Sequence, residues 1–190
     1  AAGIGVVDIR KPIGENIRAL AAAKGKPVGE MTIAVLDRPR HVQLIEEIRA
    51  AGAGTRMMLD GDVAGGINAA RYETRIDMCV GIGGSPEGVV TACAIRALGG
   101  LIQAILKPVD DDQKQRGLDA GLKFDYVYEA NELVRSDNTY FVATGVTDGG
   151  LVDGVRRKGP IIRTESIILR SRSGTIRRVI ADHVAAKWLD

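Results

Sequence analysis

The sequence predicts an α/β fold, a mostly parallel sheet flanked by helices with a smaller β-rich carboxy-terminal portion. Three observations carry that prediction. From Met31 to Leu106, short apolar runs alternate with segments of helical period, the order expected of βαβ units. From Thr139 onward the character changes to β-branched stretches separated by glycine-containing turns. Hydrophobic residues at 45% and charged residues at 26% are ordinary for a globular chain, and 190 residues are enough to bury one good core.

Taken in order, Glu15 to Lys24 reads as a helix, because Ile13, Ile17, Leu20 and Ala21 recur on one face and Gly25 stands where a helix ends. Met31 to Leu36 is an unbroken apolar run and reads as a buried strand. In the following loop, Asp37-Arg38-Pro39-Arg40-His41, the proline biases Arg38 away from helical backbone and suits the first turn of the next helix. That helix runs from Arg40 to Ala51, with Leu44, Ile45 and Ile48 inward and Glu46 and Glu47 outward. The alternation then repeats: strand Thr55 to Leu59, helix Asp62 to Arg71, strand Ile76 to Val80, helix Pro86 to Leu98, strand Leu101 to Leu106. Asp110 to Ala120 reads as a helix whose leading aspartates complement the positive end of its dipole. Glu129 to Val134 reads as a short helix, and Thr139 to Thr144, Ser166 to Arg170 and Thr175 to Asp182 as strands, with turns at Gly149-Gly150 and Ser173-Gly174. No internal repeat, low-complexity segment or interdomain linker interrupts the chain.

Charge narrows the function. Twenty-six basic and 24 acidic residues are scattered along the chain and leave a net charge of +2, so no broad field favours nucleic acid or an anionic membrane. Arg156-Arg157-Lys158 reads as a solvated turn. Aromatic content is 4%, with a single tryptophan at Trp188, so no stacking platform for bases is evident. Cys79 and Cys93 sit in apolar surroundings without CxxC spacing, the pattern of buried thiols in a reducing compartment and not of a disulfide framework or a zinc site. No apolar run reaches the ~20 residues a membrane span needs, and the first residues lack a signal pattern. A cytoplasmic protein is expected.

Polar chemistry concentrates in three strand-end loops. Asp60-Gly61-Asp62 follows the apolar Met57-Met58-Leu59 and precedes a helix, which puts two carboxylates at a strand's carboxyl end, the edge where open α/β sheets bind small ligands. Asp37 to His41 and Gly81 to Glu87 occupy equivalent junctions. If the strands are neighbours, two arginines, two or three carboxylates and a glycine-rich turn converge, the equipment for a phosphorylated polyol: guanidinium forks for phosphate and carboxylates for hydroxyls. Each element also has a plainer reading. Asp62 suits a helix N-cap, Ser85-Pro86-Glu87 suits a helix start with Ser85 as cap, and Glu87 can alternatively offer an oxygen to a hard divalent cation. The glycines at 81, 83 and 84 do not complete a dinucleotide fingerprint. His41 and His183, the only histidines, have no serine or cysteine in a nucleophile context. Thr144 to Gly149 reads as a structural turn, and Arg170-Ser171-Arg172-Ser173-Gly174 as a hairpin tip or a phosphate contact.

Leu36-Asp37-Arg38-Pro39-Arg40-His41, Asp60-Gly61-Asp62-Val63-Ala64-Gly65, Gly81-Ile82-Gly83-Gly84-Ser85-Pro86-Glu87-Gly88, Ala143 to Gly149 and Arg170 to Thr175 occur in an order and spacing that resemble class II fructose-1,6-bisphosphatase, the GlpX type. The resemblance covers essentially the whole chain and matches only the carboxy-terminal part of that family. It implies a sugar-phosphatase-like fold, with residues 1–190 forming the carboxy-terminal α/β lobe and an amino-terminal lobe, bearing most of the metal ligands, absent from this chain. It further implies Mg²⁺ or Mn²⁺ as cofactor and hydrolysis of the 1-phosphate of fructose 1,6-bisphosphate. By the same resemblance Arg38, Pro39 and Arg40 form the substrate loop, Asp60, Gly61 and Asp62 hold the sugar, Gly84 gives it a backbone contact, and Glu87 ligates a metal. The water-activating catalytic group has no match here. A surface exposed where the absent lobe docks favours association, so a homo-oligomer is expected.

Two further readings remain open. A nucleotide-binding α/β module would lay phosphate on the Gly81 to Gly84 backbone and use Asp110 on a ribose. A non-catalytic sugar-phosphate-binding or assembly subunit would bind without turnover.

Overall fold

The computed structural model describes residues 3–188, so the outermost positions of the chain, which the expected 1–190 lobe includes, and the Trp188 side chain lie outside the described residues. At its centre is β1 (Thr32–Leu36). Ile33, Ala34 and Val35 are fully buried there, which explains an unbroken apolar run where a half-exposed strand would alternate. β2 (Gly54–Met58) and β3 (Met78–Cys79) flank β1, both parallel to it, in the order β2-β1-β3. One face is covered by α1 (Ile13–Lys24) and α2 (Val42–Ala50), where Ile17, Leu20, Ala21 and Ile48 pack with Met31 and Ile33. Each fully buried isoleucine contributes roughly 1.5–3 kcal/mol.

The other face receives α3 (Asp62–Ala69), which packs beside α4 (Ser85–Leu98). Glycines let α3 sit close on two sides. A Cβ at Gly65 would stand 2.8 Å from the Met58 Sδ and 3.2 Å from the Cys79 Sγ, and one at Gly66 would stand 2.7 Å from the Thr91 methyl. β4 (Gln103–Ala104) then leads through α5 (Asp111–Asp119) to its antiparallel partner β5 (Tyr128–Glu129) and to α6 (Ala130–Leu133).

The carboxy-terminal portion is an antiparallel sheet of β6 (Tyr140–Thr144), β7 (Arg156–Lys158), β8 (Ile161–Arg170) and β9 (Thr175–Val184), closed by the short α7 (Ala185–Trp188). β8 is central, with β6 and β7 along one side and β9 along the other. Phe141, Ile167 and Leu169 point back onto Ile67, Ala94 and Ala97, so the α3–α4 pair is sandwiched between the two sheets. The predicted α/β architecture with a β-rich carboxy-terminal portion is what the chain adopts.

Some boundaries differ from expectation for identifiable reasons. Leu101 to Leu106 adds no strand to the parallel sheet: Gly99, in left-handed conformation, ends α4, and only Gln103 and Ala104 pair, antiparallel with β5. Ile76 to Val80 shrinks to two strand residues. The basic triplet 156–158 is exposed as expected, but it forms β7 and not a turn. β8 begins five residues before Ser166, through the polar Arg163, Thr164 and Glu165. Burial of Glu165 is tolerated because its carboxylate pairs with Arg178 at 3.2 Å and accepts the Asp153 N–H at 2.9 Å.

At the amino edge of the parallel sheet, Asp77 accepts from Lys24 Nζ at 2.6 Å, Lys26 Nζ at 2.7 Å and the Thr32 N–H at 2.9 Å, with its side chain 7% exposed. Burial by itself would raise its pKa; the two lysines and the Thr32 N–H outweigh that and hold it below the ordinary value. With the folded value depressed, the stabilisation is full above the ordinary aspartate pKa of about 3.9 and is lost as pH falls through the lower folded value. Asp77→Asn is therefore expected to cost about 1–3 kcal/mol at pH 7 and to flatten the acid limb of stability. Thermal unfolding from pH 7 down to pH 3 tests this; parallel curves for the two proteins would remove Asp77 from the acid transition.

Candidate functional site

Parallel pairing of β2, β1 and β3 sends their three following loops to one edge, and hydrogen bonds lace those loops together. Arg38 Nη2 donates to Asp60 Oδ1 at 2.6 Å, and the Asp37 N–H donates to the Met58 carbonyl at 2.8 Å, joining the loops after β1 and β2. Arg40 Nε donates to the Ile82 carbonyl at 2.8 Å, joining the loops after β1 and β3. Between them lies His41, fully buried. The Ile82 N–H donates to its Nε2 at 2.8 Å, so Nε2 is unprotonated and the proton sits on Nδ1, which donates to the Leu36 carbonyl at 2.9 Å. His41 thus clamps the glycine-rich loop to the end of the central strand.

The carboxylates approach the same loop. Gly61 adopts φ +84° and is itself the N-cap of α3, so Asp62 is not the cap; it occupies the first helical position, where Oδ1 accepts the Val63 N–H at 2.8 Å. Its other oxygen lies 2.9 Å from where a Cβ at Gly83 would stand. The cap of α4 is likewise Gly84 and not Ser85, with Pro86 in the first turn. The exposed Glu87 folds its carboxylate back over Gly84, into the space a Cβ there would take. Two carboxylates therefore bracket Gly83-Gly84, where the absence of a Cβ leaves room for their approach.

All eight residues singled out in the sequence, Arg38, Pro39, Arg40, Asp60, Gly61, Asp62, Gly84 and Glu87, lie in the three loops of this edge or in the first turn of the helices that follow them. Arg38 touches Asp60 directly, Arg40 and Asp62 meet the 81–84 loop, and Glu87 meets Gly84. The Arg38–Asp60 pair is exposed, the kind of contact that a competing phosphate displaces at small cost. The role of His41 escaped sequence reasoning, since its partner Ile82 lies 41 residues away and no local pattern marks it. Asp110 accepts the Gln113 N–H at 2.6 Å as the N-cap of α5, which accounts for it without a ribose. Arg170 is engaged by Asn138 and by the Tyr140 ring on the antiparallel sheet.

Cys79 and Cys93 are free and part-buried. Burial, then the nearby Asp62 carboxylate, push the Cys79 thiol up to about 11, so it is protonated at neutral pH and is no nucleophile. Among the described residues no three histidine, cysteine, aspartate or glutamate side chains gather into a cation site. The donors that do approach the loop, Asp62 and Glu87, are hard oxygens of the type Mg²⁺ and Mn²⁺ take, but they are too few for a complete shell. No helix among the described residues is long and apolar enough to cross a membrane.

A parallel α/β layer with arginines and carboxylates converging at the strand-end edge has the chemistry to meet a small anionic, hydroxyl-bearing ligand. A profile of the bacterial, glpX-encoded fructose-1,6-bisphosphatases matches residues 1–183, and the chain belongs to that family. It is 40% identical to the class 2 fructose-1,6-bisphosphatase of Haemophilus influenzae over an alignment of 192 positions, covering 94% of this chain and 58% of that protein. It is 37% identical to fructose-1,6-bisphosphatase 1 class 2 of Escherichia coli K12, covering 94% of this chain and 57% of that protein. The chain spans about three-fifths of the length of these curated relatives.

Proposed function

We propose that this chain is the sugar-phosphate-contacting, carboxy-terminal α/β lobe of a metal-dependent fructose-1,6-bisphosphatase. The reaction adds water across the P–O bond to C1 of fructose 1,6-bisphosphate and yields fructose 6-phosphate and inorganic phosphate, a cytoplasmic step of gluconeogenesis. The observation that carries the reading is the convergence of Arg38, Arg40, Asp60, Asp62 and Glu87 on one sheet edge, in a chain matched along nearly its whole length by the family profile.

Arg38 and Arg40 meet phosphate through their guanidinium forks, Pro39 fixing the turn between them. Asp60 and Asp62 accept from sugar hydroxyls, Gly61 setting the angle between the two carboxylates, and Gly84 gives the sugar a backbone contact once the Glu87 carboxylate turns from it toward the cation. Glu87 contributes one oxygen to Mg²⁺ or Mn²⁺, which when bound polarises phosphoryl oxygens and lowers the pKa of water. The arginines stabilise charge on the phosphate that is not transferred. The remaining metal ligands and the water-activating group come from a region corresponding to the part of the relatives that this chain does not match.

The purified 190-residue chain is accordingly expected to release no phosphate from fructose 1,6-bisphosphate with Mn²⁺. Co-production with the corresponding remaining region is expected to give Mn²⁺-dependent release. Release by the chain alone would overturn the divided site, and no release by the combined protein would overturn the phosphatase reading.

A further inference from the structure

Ile82 is the one residue of the 81–84 loop that is not glycine, and both of its main-chain groups are held from a single neighbouring loop, by adjacent residues. The two holds differ in kind. His41, fully buried, accepts the Ile82 N–H at 2.8 Å. Arg40, exposed, donates its Nε–H to the Ile82 carbonyl at 2.8 Å. The buried bond is protected from water. The exposed one competes with water and lasts only as long as a long, rotamer-rich side chain stays in place.

Guanidinium geometry lets one side chain serve two acceptors, because its donors form a rigid planar fork. With Nε on the Ile82 carbonyl, Nη1 and Nη2 remain as an end-on pair of the kind that grips a phosphate through two parallel bonds. A phosphate held there orders the Arg40 side chain, so the entropy of ordering it no longer opposes the bond to Ile82. Arg38 lacks this reach. Its Nη1 donates to the Asp37 carbonyl at 2.9 Å and its Nη2 to Asp60 at 2.6 Å, and among the described residues none of its bonds goes to the 81–84 loop. The next two residues after Ile82 are Gly83 and Gly84, the main chain that the Asp62 and Glu87 carboxylates approach. Steadying Ile82 therefore steadies the backbone those carboxylates face.

We propose that Arg40 is a positioning residue as well as a phosphate contact: a phosphate on its terminal nitrogens strengthens its bond to the Ile82 carbonyl and so fixes the glycine-rich loop beside Asp62 and Glu87. The inference rests on the reading that Arg40 meets the phosphate that is not transferred. That phosphate thereby helps to assemble the reacting end of the site and does not serve affinity alone. The coupling is reciprocal, so a loop already fixed raises phosphate affinity.

The test is amide hydrogen exchange across residues 81–88 together with calorimetric titration, on the metal-free combined protein, for wild type, Arg40→Lys and Arg38→Lys, with fructose 6-phosphate as the probe. Exchange of the Ile82 N–H requires the loop to leave His41, so it reports loop opening directly. Lysine keeps the positive charge and gives up the planar fork that spans two acceptors. In wild type, saturating fructose 6-phosphate is expected to slow exchange of the loop by about two- to tenfold, the worth of one net hydrogen bond. In Arg40→Lys the dissociation constant is expected to rise about tenfold, and the slowing at saturation to disappear. Arg38→Lys is expected to weaken binding and keep the slowing. An Arg40 that only tethers the loop would change exchange equally with and without ligand and leave affinity unaltered. An Arg40 that only contacts phosphate would lose affinity in Arg40→Lys and keep the slowing. Either result overturns the proposal and leaves the phosphatase reading standing, whereas no binding of fructose 6-phosphate by the wild type overturns both.

Discussion

His41→Ala is expected to lower stability by roughly 2–5 kcal/mol, because it leaves the Leu36 carbonyl and the Ile82 N–H without partners in a buried place and opens a cavity beside them. For a chain of this size that corresponds to a fall in Tm of about 5–15 °C. The loss is not confined to stability. Because His41 joins the end of β1 to the 81–84 loop, the variant also releases the loop that Asp62 and Glu87 bracket, and sugar-phosphate affinity in the combined protein is expected to drop with it. His41→Gln, which has one donor and one acceptor on a flexible arm, is expected to recover part of both. Thermal unfolding and a calorimetric titration with fructose 1,6-bisphosphate measure the two effects. A Tm unchanged in His41→Ala would show that the clamp contributes nothing.

Glu87→Gln keeps the size and one acceptor oxygen but removes the negative charge. If Glu87 holds a hard cation, the Mn²⁺ concentration for half-maximal phosphate release by the combined protein is expected to rise by at least about tenfold, with turnover lowered. If it serves only the start of α4, the substitution removes a helix-dipole contribution of roughly 0.3–1 kcal/mol and leaves metal dependence untouched. Superimposable Mn²⁺ curves would take Glu87 out of the site.

How far the sequence could be read depended on how local the physics was. β1 was legible because a strand buried on both faces must be apolar throughout, and Met31 to Leu36 is. The edge carrying Arg38, Asp60, Asp62 and Glu87 followed from strand order, since parallel neighbours place their following loops together. Leu101 to Leu106 misled because it has the residues of a buried strand, while a left-handed Gly99 directs the chain away from the parallel sheet. The start of β8 was hidden because Glu165 looks like a surface residue until Arg178 and the Asp153 N–H are beside it. Residue preference offers Asp62 and Ser85 as helix caps, whereas Gly61 and Gly84 hold those positions, and Asp62 turns one carboxylate oxygen to the glycine-rich loop. Nothing near His41 in the chain announces a bond to Ile82.

The close seating of α3 gives the two sides of the strand-end edge unequal support. Asp62 heads a helix wedged by Gly65 against Met58 and Cys79 and by Gly66 against Thr91, so the backbone that carries its carboxylate moves only with the packed helix. The facing wall hangs from β3, which has two paired residues, and is steadied chiefly by His41 and Arg40. Under the proposed function, adjustment to sugars that differ in length or pucker is expected in the main chain of Gly81 to Gly84 before it is expected in the backbone that carries Asp62.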